Sequence, residues 1–261
     1  MSKDVYIHGT EPSEQERLAG LNRMTNAAFL QFLGVPPGSR VLEVGSGLGL
    51  LAVEVANAAA GVEVVGVEIS AAQIEAAPAH TRVTYVQGDA HALDFPDGSF
   101  DVVYARYLLE HVIDPQRVVR EMRRVAKPGG RVGVCENDVS LMRFDPPCAA
   151  FEHAWKIFAA FQATLGGDAL IGRRLFRLFR VAGFKDVELS VQPEVHWYGS
   201  PGYVAWVHNI IGNLESARNG MLAAGVISES GLDAGVAELE RLKTDPTGSA
   251  IFVWNRLSAT R

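Results

Sequence analysis

Cysteine is scarce in this chain, and the two that occur, Cys135 and Cys148, stand in no CxxC or Cys/His metal spacing. They fit reduced thiols in a cytoplasmic protein better than a disulfide framework. No apolar run approaches the length needed to span a bilayer. The segment MSKDVYIHGTEPSEQER is polar, without the hydrophobic core of a signal peptide or the Arg-rich, acid-poor character of a transit peptide, so no membrane partner is expected. Basic residues are in the minority too. With 24 Lys and Arg against 30 Asp and Glu the net charge is −6, which leaves no basic surplus for backbone phosphates, and nucleic acid is not expected as a partner. The one basic cluster, GRRLFRLFR at 172–180, reads as a solvated helix face with Leu175, Leu178 and Phe179 turned inward. What is present is 48% hydrophobic and 21% charged over 261 residues, enough for one large α/β domain or a domain with a small cap.

Residues 13–33 read as an amphipathic helix: Ser13 and Glu16 form a capping box, and Leu18, Leu21, Met24, Ala28 and Phe32 recur at helical spacing. GVPPGS then breaks it. From Arg40 strands and helices alternate. RVLEVG, VEVVGVEIS, RVTYVQGD, FDVVYA and RVGVCE are strands, separated by helices over 48–60, 71–79 and from Asp114-Pro115 to KPGG. This alternation predicts parallel pairing and a doubly wound sheet. After Glu136 helical patterns fill 149–165, 170–182, 203–224 and 232–242, while AGFKDVELSVQ and SAIFVWNRL return to strand. The two helical insertions are expected to cap the carboxyl edge of the sheet, where such folds bind ligands.

The turn after the first strand, GSGLG, places Gly45, Gly47 and Gly49 where backbone can approach a ligand closely. Its third glycine comes one residue early for the dinucleotide fingerprint G-x-G-x-x-G, and no Lys-Ser or Lys-Thr follows as in a Walker A loop. Glu43, two residues before the turn, would repel a pyrophosphate and suits an ammonium or sulfonium group. Glu68 ends the second strand where an acid accepts hydrogen bonds from ribose hydroxyls. Gly88, Asp89 and Ala90 end the third, with Asp89 placed for an adenine amino group and the Ala90 N–H for a ring nitrogen. Together these strand ends describe an adenosine site with a carboxylate at its far end.

VLEVGSGLG, GVEIS, QGDAHALDFPDGSFDVVYARYLLEHVIDP and EMRRVAKPGGRV, in that order, resemble the successive motifs of class I S-adenosylmethionine-dependent methyltransferases, most similarly the ubiquinone/menaquinone-type and natural-product small-molecule enzymes. The likeness covers Val41 to Val134 strongly and continues weakly through GRRLFRLFRVAGFKDVEL and FVWNR. It implies a Rossmann-like, mostly parallel doubly wound sheet with an antiparallel last strand, an N-terminal helix and helical cap insertions. One methyltransferase domain over 1–261 is expected: lid and helix 1–38, cofactor core 39–137, cap segments 138–182 and 195–248, terminal strands 183–194 and 249–258. The cofactor implied is S-adenosylmethionine. Gly45, Ser46, Gly47 and Gly49 would pass its methionine part, Glu68 with Ile69 would bind the ribose, and Gly88, Asp89 and Ala90 the adenine. Glu43, Ala105, Arg106 and His111 would complete the lining. The activity implied is in-line methyl transfer to O, C or N of a small apolar or aromatic acceptor.

The catalytic group is the least legible part, because a sulfonium is already activated and a base is needed only where the acceptor holds its proton. His8, His111 and His196 are the candidates, with His111 also read as cofactor wall. Tyr6, Trp155, Trp197, Tyr198 and Trp206 are candidates for the acceptor pocket, and Tyr6 with His8 for a lid over the cofactor. CEND, at 135–138, offers carboxylates but no matching acids elsewhere, so no metal is expected. A homo-oligomer stays open. Two alternatives stay open as well: a nicotinamide-dependent oxidoreductase, disfavoured by the early glycine and Glu43, and a non-catalytic cofactor-binding protein on the same fold.

Overall fold

The computed structural model describes residues 12–261. The first helix, α1 (Pro12–Leu33), already includes the residue before the expected cap at Ser13. Then come β1 (Arg40–Val44), α2 (Leu50–Ala58), β2 (Glu63–Glu68), α3 (Ala71–Ala76), β3 (Val83–Gln87), β4 (Phe100–Arg106), α4 (Pro115–Val125) and β5 (Ala126–Glu136). The remaining elements are β6 (Arg143–Asp145), α5 (Ala149–Thr164), α6 (Leu175–Val181), β7 (Lys185–Trp197), α7 (Tyr203–Ala223), α8 (Glu229–Leu242) and β8 (Ser249–Thr260).

Local chemistry sets the helix starts. Asp114 accepts the Arg117 N–H at 2.9 Å with Pro115 at the first helical position, and Ser228 accepts the Gly231 N–H at 3.1 Å. One sheet runs β3-β2-β1-β4-β5-β8, its first five strands parallel and β8 antiparallel to β5. β8 carries β5 and the short β6 along one side and β7 along the other. The chain is therefore the expected doubly wound fold with a reversed last strand.

The inner strands alternate between two cores. Val41, Val102 and Tyr104 join a core with α1, α2, α5, α7 and α8, while Leu42, Val44 and Val103 join one with α4 and α6. Strands buried on both faces read as continuous apolar runs, as RVLEV does. Three details differ from the sequence expectation. α6, inside the expected cap segment 138–182, packs on the sheet with α4, β7 and β8. β7 extends through Trp197, so 195–197 belongs to strand, not cap. β6 was not expected; three residues are too few to carry a period. Among the described residues no helix is long and apolar enough to cross a membrane.

Candidate functional site

The glycine turn is held from below by β2: the Gly45 and Ser46 N–H groups both donate to the Val67 carbonyl, at 2.8 and 2.9 Å. Gly45 has φ 74°, and a Cβ there would come within 2.7 Å of Leu108 Cδ1. Gly49, φ 69°, caps α2 and lies so close under the Tyr85 ring that no side chain fits; the Tyr85 hydroxyl donates to its carbonyl at 3.0 Å. Gly49 thus shapes the turn from beneath and does not line the cavity that the turn borders.

Glu68 fastens this turn to the next one. Its Oε2 accepts the Gly47 N–H at 2.9 Å and its Oε1 the Ser70 N–H at 3.0 Å, leaving further lone pairs on both oxygens. Asp89 Oδ1 accepts both the backbone N–H and the imidazole Nδ1 of His91, at 2.8 and 2.7 Å. Partial burial works against ionisation there, but these His91 hydrogen bonds hold the Asp89 carboxyl below its usual value. Glu43 is 4% exposed, and its Oε2 has no hydrogen-bond partner. Burial pushes its carboxyl up to about 8, against the opposing pull of the Arg106 guanidinium. Arg106 in turn donates to Asn22 Oδ1 and Thr25 Oγ1 of α1, at 2.5 and 3.2 Å.

Glu43, Gly45, Ser46, Gly47, Glu68 and Ile69 border one cavity of about 450 Å³, as do Gly88, Asp89, Ala90, Arg106 and His111. The same cavity continues to Trp155 and Trp206. Other sequence candidates are not brought there. Ala105 is packed under α4 in the sheet core. Trp197 and Tyr198 are 57% and 46% exposed and do not line the cavity. His196 does not line it either: it lies behind Trp206, ring centroids 5.3 Å apart, with Nε2 3.5 Å from Glu194 Oε2. Tyr6 and His8 lie outside the described residues.

The structure adds residues that sequence reasoning missed. His91, Arg17, Glu110, Asn137 and Asn209 all line the cavity. Glu110 Oε1 accepts from Asn137 Nδ2 at 2.5 Å, and Glu136 behind it accepts the Leu108 and Leu109 N–H groups at 3.1 and 2.9 Å. Burial raises both carboxyls above the ordinary range; the Glu110 charge further opposes ionisation of Glu136, and the Asp168 charge that of Glu110. Asp138, the other acid of CEND, is spent on a bidentate pair with Arg173. Among the described residues no group of three or more His, Cys, Asp or Glu side chains is placed to hold a metal ion.

Comparison with known proteins now adds its part. A family described as a methyltransferase domain matches residues 42–134. An O-methyltransferase, resE of Aspergillus sclerotiorum, is 31% identical over 193 residues, covering 70% of each chain. The chain belongs to the class I S-adenosylmethionine-dependent methyltransferases. Within this methyltransferase family it is also similar to the demethylmenaquinone methyltransferase of Mycolicibacterium paratuberculosis, 39% identical over 117 residues, 45% of this chain and 50% of that one. The chain spans about half the length of the first curated relatives it matches. In fold it resembles phosphoethanolamine N-methyltransferase 2 of Haemonchus contortus, solved with S-adenosyl-L-methionine (TM-score 0.57, 22% identity, 91% of this chain and 52% of that one). Neither the oxidoreductase reading nor the non-catalytic one finds support in this family.

Proposed function

We propose that the protein transfers a methyl group from S-adenosylmethionine to O, C or N of a small, apolar or aromatic acceptor. The observation that carries this reading is the single cavity joining the strand-end carboxylates Glu43, Glu68 and Asp89 to a chamber walled by Trp155, Phe158 and Trp206. The unpartnered, buried Glu43 oxygen under the glycine turn fits a ligand ammonium, and the remaining lone pairs of Glu68 fit a vicinal diol. Family membership supports S-adenosylmethionine as that ligand.

When bound, the cofactor supplies a methyl carbon on an electron-poor sulfonium, open to in-line displacement by the acceptor. The protein's own part is alignment and exclusion of water. Glu68 would hold the ribose and Asp89 the adenine amino group. Glu43 would face the amino group of the methionine part, with Arg106 keeping α1 against the same wall. His111 stays uncharged at neutral pH: burial, then the Arg17 charge, brings it down to about 4, which suits a wall beside a cation better than a base. Glu110, held by Asn137, is the cavity carboxyl placed to take a proton from an acceptor that must lose one.

The test is an incubation with methyl-labelled S-adenosylmethionine and a panel of phenols, aromatic acids, amines and carbon acids. S-Adenosylhomocysteine should accumulate with at least one acceptor. No accumulation with any of them, together with no calorimetric binding of S-adenosylhomocysteine, overturns the reading.

A further inference from the structure

Asp89 and His91 line the cavity together just beyond β3. Two donors of His91, its backbone N–H and its ring Nδ1, converge on the same carboxylate oxygen, Oδ1, at 2.8 and 2.7 Å. The ring is held from its far side as well. The Asp114 N–H donates to Nε2 at 3.3 Å, so Nε2 carries the lone pair and the proton of the neutral ring sits on Nδ1, facing the carboxylate. A tautomer fixed in this way makes the Asp89 contact a donated bond to an ionised acceptor, the stronger class of hydrogen bond. Arg117 completes the grip: its Nε donates to the His91 carbonyl at 2.7 Å and its backbone N–H to Asp114 Oδ1 at 2.9 Å. The start of α4 thus holds His91 by ring and by backbone.

The consequence falls on the other oxygen. The Asp89 side chain is 52% exposed, against 16% for that of His91. A carboxylate so open to water would lose rotamer freedom each time it met a ligand, and His91 has already taken that loss on folding. With Oδ1 occupied twice, Oδ2 is the oxygen available to a further donor, and its direction is set by the hold on Oδ1. An acceptor-only group in a fixed direction matches a ligand amino group and opposes a carbonyl at the same place.

We propose that His91 is a positioning residue: it locks the Asp89 carboxylate so that Oδ2 takes the exocyclic amino group of an adenine ring and rejects a 6-oxo purine. This rests on the methyl-transfer reading above, in which Asp89 faces the adenine.

Calorimetry on the full chain tests it with S-adenosylhomocysteine and S-inosylhomocysteine, which carries a carbonyl in place of the amino group. The adenine ligand should bind the unaltered protein about tenfold or more tighter, as a hydrogen bond to a charged group predicts. His91→Leu should weaken S-adenosylhomocysteine about tenfold and leave the inosyl ligand near its original affinity, whereas a residue that only supports the fold would cost both alike. His91→Asn, which keeps a donor nitrogen close to the place of Nδ1, should retain most of the preference. In an Asp89→Ala background His91→Leu should change neither affinity. No preference for adenine in the unaltered protein, parallel losses of both ligands in His91→Leu, a His91→Asn protein as impaired as His91→Leu, or full additivity with Asp89→Ala overturns the inference. S-Adenosylhomocysteine binding to the unaltered protein is read separately. If it fails, the methyl-transfer reading falls; if it holds while His91→Leu discriminates as before, only the role of His91 falls.

Discussion

Glu43 sits under the glycine turn with one oxygen unpartnered and its carboxyl pushed up to about 8 by burial. A ligand ammonium beside it favours the carboxylate, so binding releases a proton wherever the free protein still holds one. Affinity for S-adenosylhomocysteine should therefore rise as the pH is raised toward 8 and level off above it. Calorimetry in buffers of different ionisation enthalpy reads the released proton directly, and Glu43→Gln should make affinity independent of pH in this window. Glu68→Ala removes the brace on Gly47 and Ser70 and the proposed acceptor for the ribose diol, so the same ligand should bind about 10- to 100-fold more weakly. An unchanged dissociation constant would remove Glu68 from the cofactor site. These two acids were legible because their positions are local: each sits at a fixed distance from a glycine turn or a strand end. Arg17 was not, since its partner Asn209 is 192 residues away and nothing in a helix's own period distinguishes an arm that crosses a cavity from one that faces water.

At the scale of elements, α1 is tied to three neighbours by polar side chains. Asn22 and Thr25 accept from Arg106 of β4, Asn26 donates to Glu54 of α2, and Arg17 reaches α7. The helix is thus a wall of the cavity rather than an appendage. Asn22→Ala leaves one Arg106 N–H without its acceptor and should cost about 1–3 kcal/mol in urea unfolding, with cofactor affinity falling alongside. Loss of stability alone, with affinity intact, would separate α1 from the site. The helices after Glu136 were readable from their period, but the HWY cluster misled for a physical reason. β7 alternates with period two, so Glu194 and His196 turn toward the molecule while Val195 and Trp197 face outward. The outward row Leu189, Val191, Val195 and Trp197 is apolar, the reverse of the usual pattern, and an aromatic count cannot reveal which row is buried.

Taken as a whole, among the described buried carboxyls three, Glu43, Glu110 and Glu136, have folded values raised above the ordinary 4.5 by burial. For an acid raised on folding, the stability contribution is fully present below the unfolded value and is lost as pH rises through the folded one. The thermal midpoint of the ligand-free protein should therefore fall between about pH 5 and about pH 8, and Glu43→Gln should flatten part of that fall. A midpoint that stays level over this range would mean that the three groups ionise in the folded protein at their ordinary values. The doubly wound core was legible as a whole because helices follow β1, β2 and β4, and the inner strands β1, β4 and β5 bury both faces. The junctions made by β6, β7 and β8 depend on pairing across long stretches of chain and carry no local mark.

β8 is where those junctions meet, and it supplies Phe252 and Trp254 to the aromatic side of the cavity. The strand-end residues that line the other side, from Glu43 to Arg106, lie far upstream of it. During synthesis, then, the ribosome releases the strand-end half of the cavity well before β8, and the cavity can be completed only once the last strand has emerged.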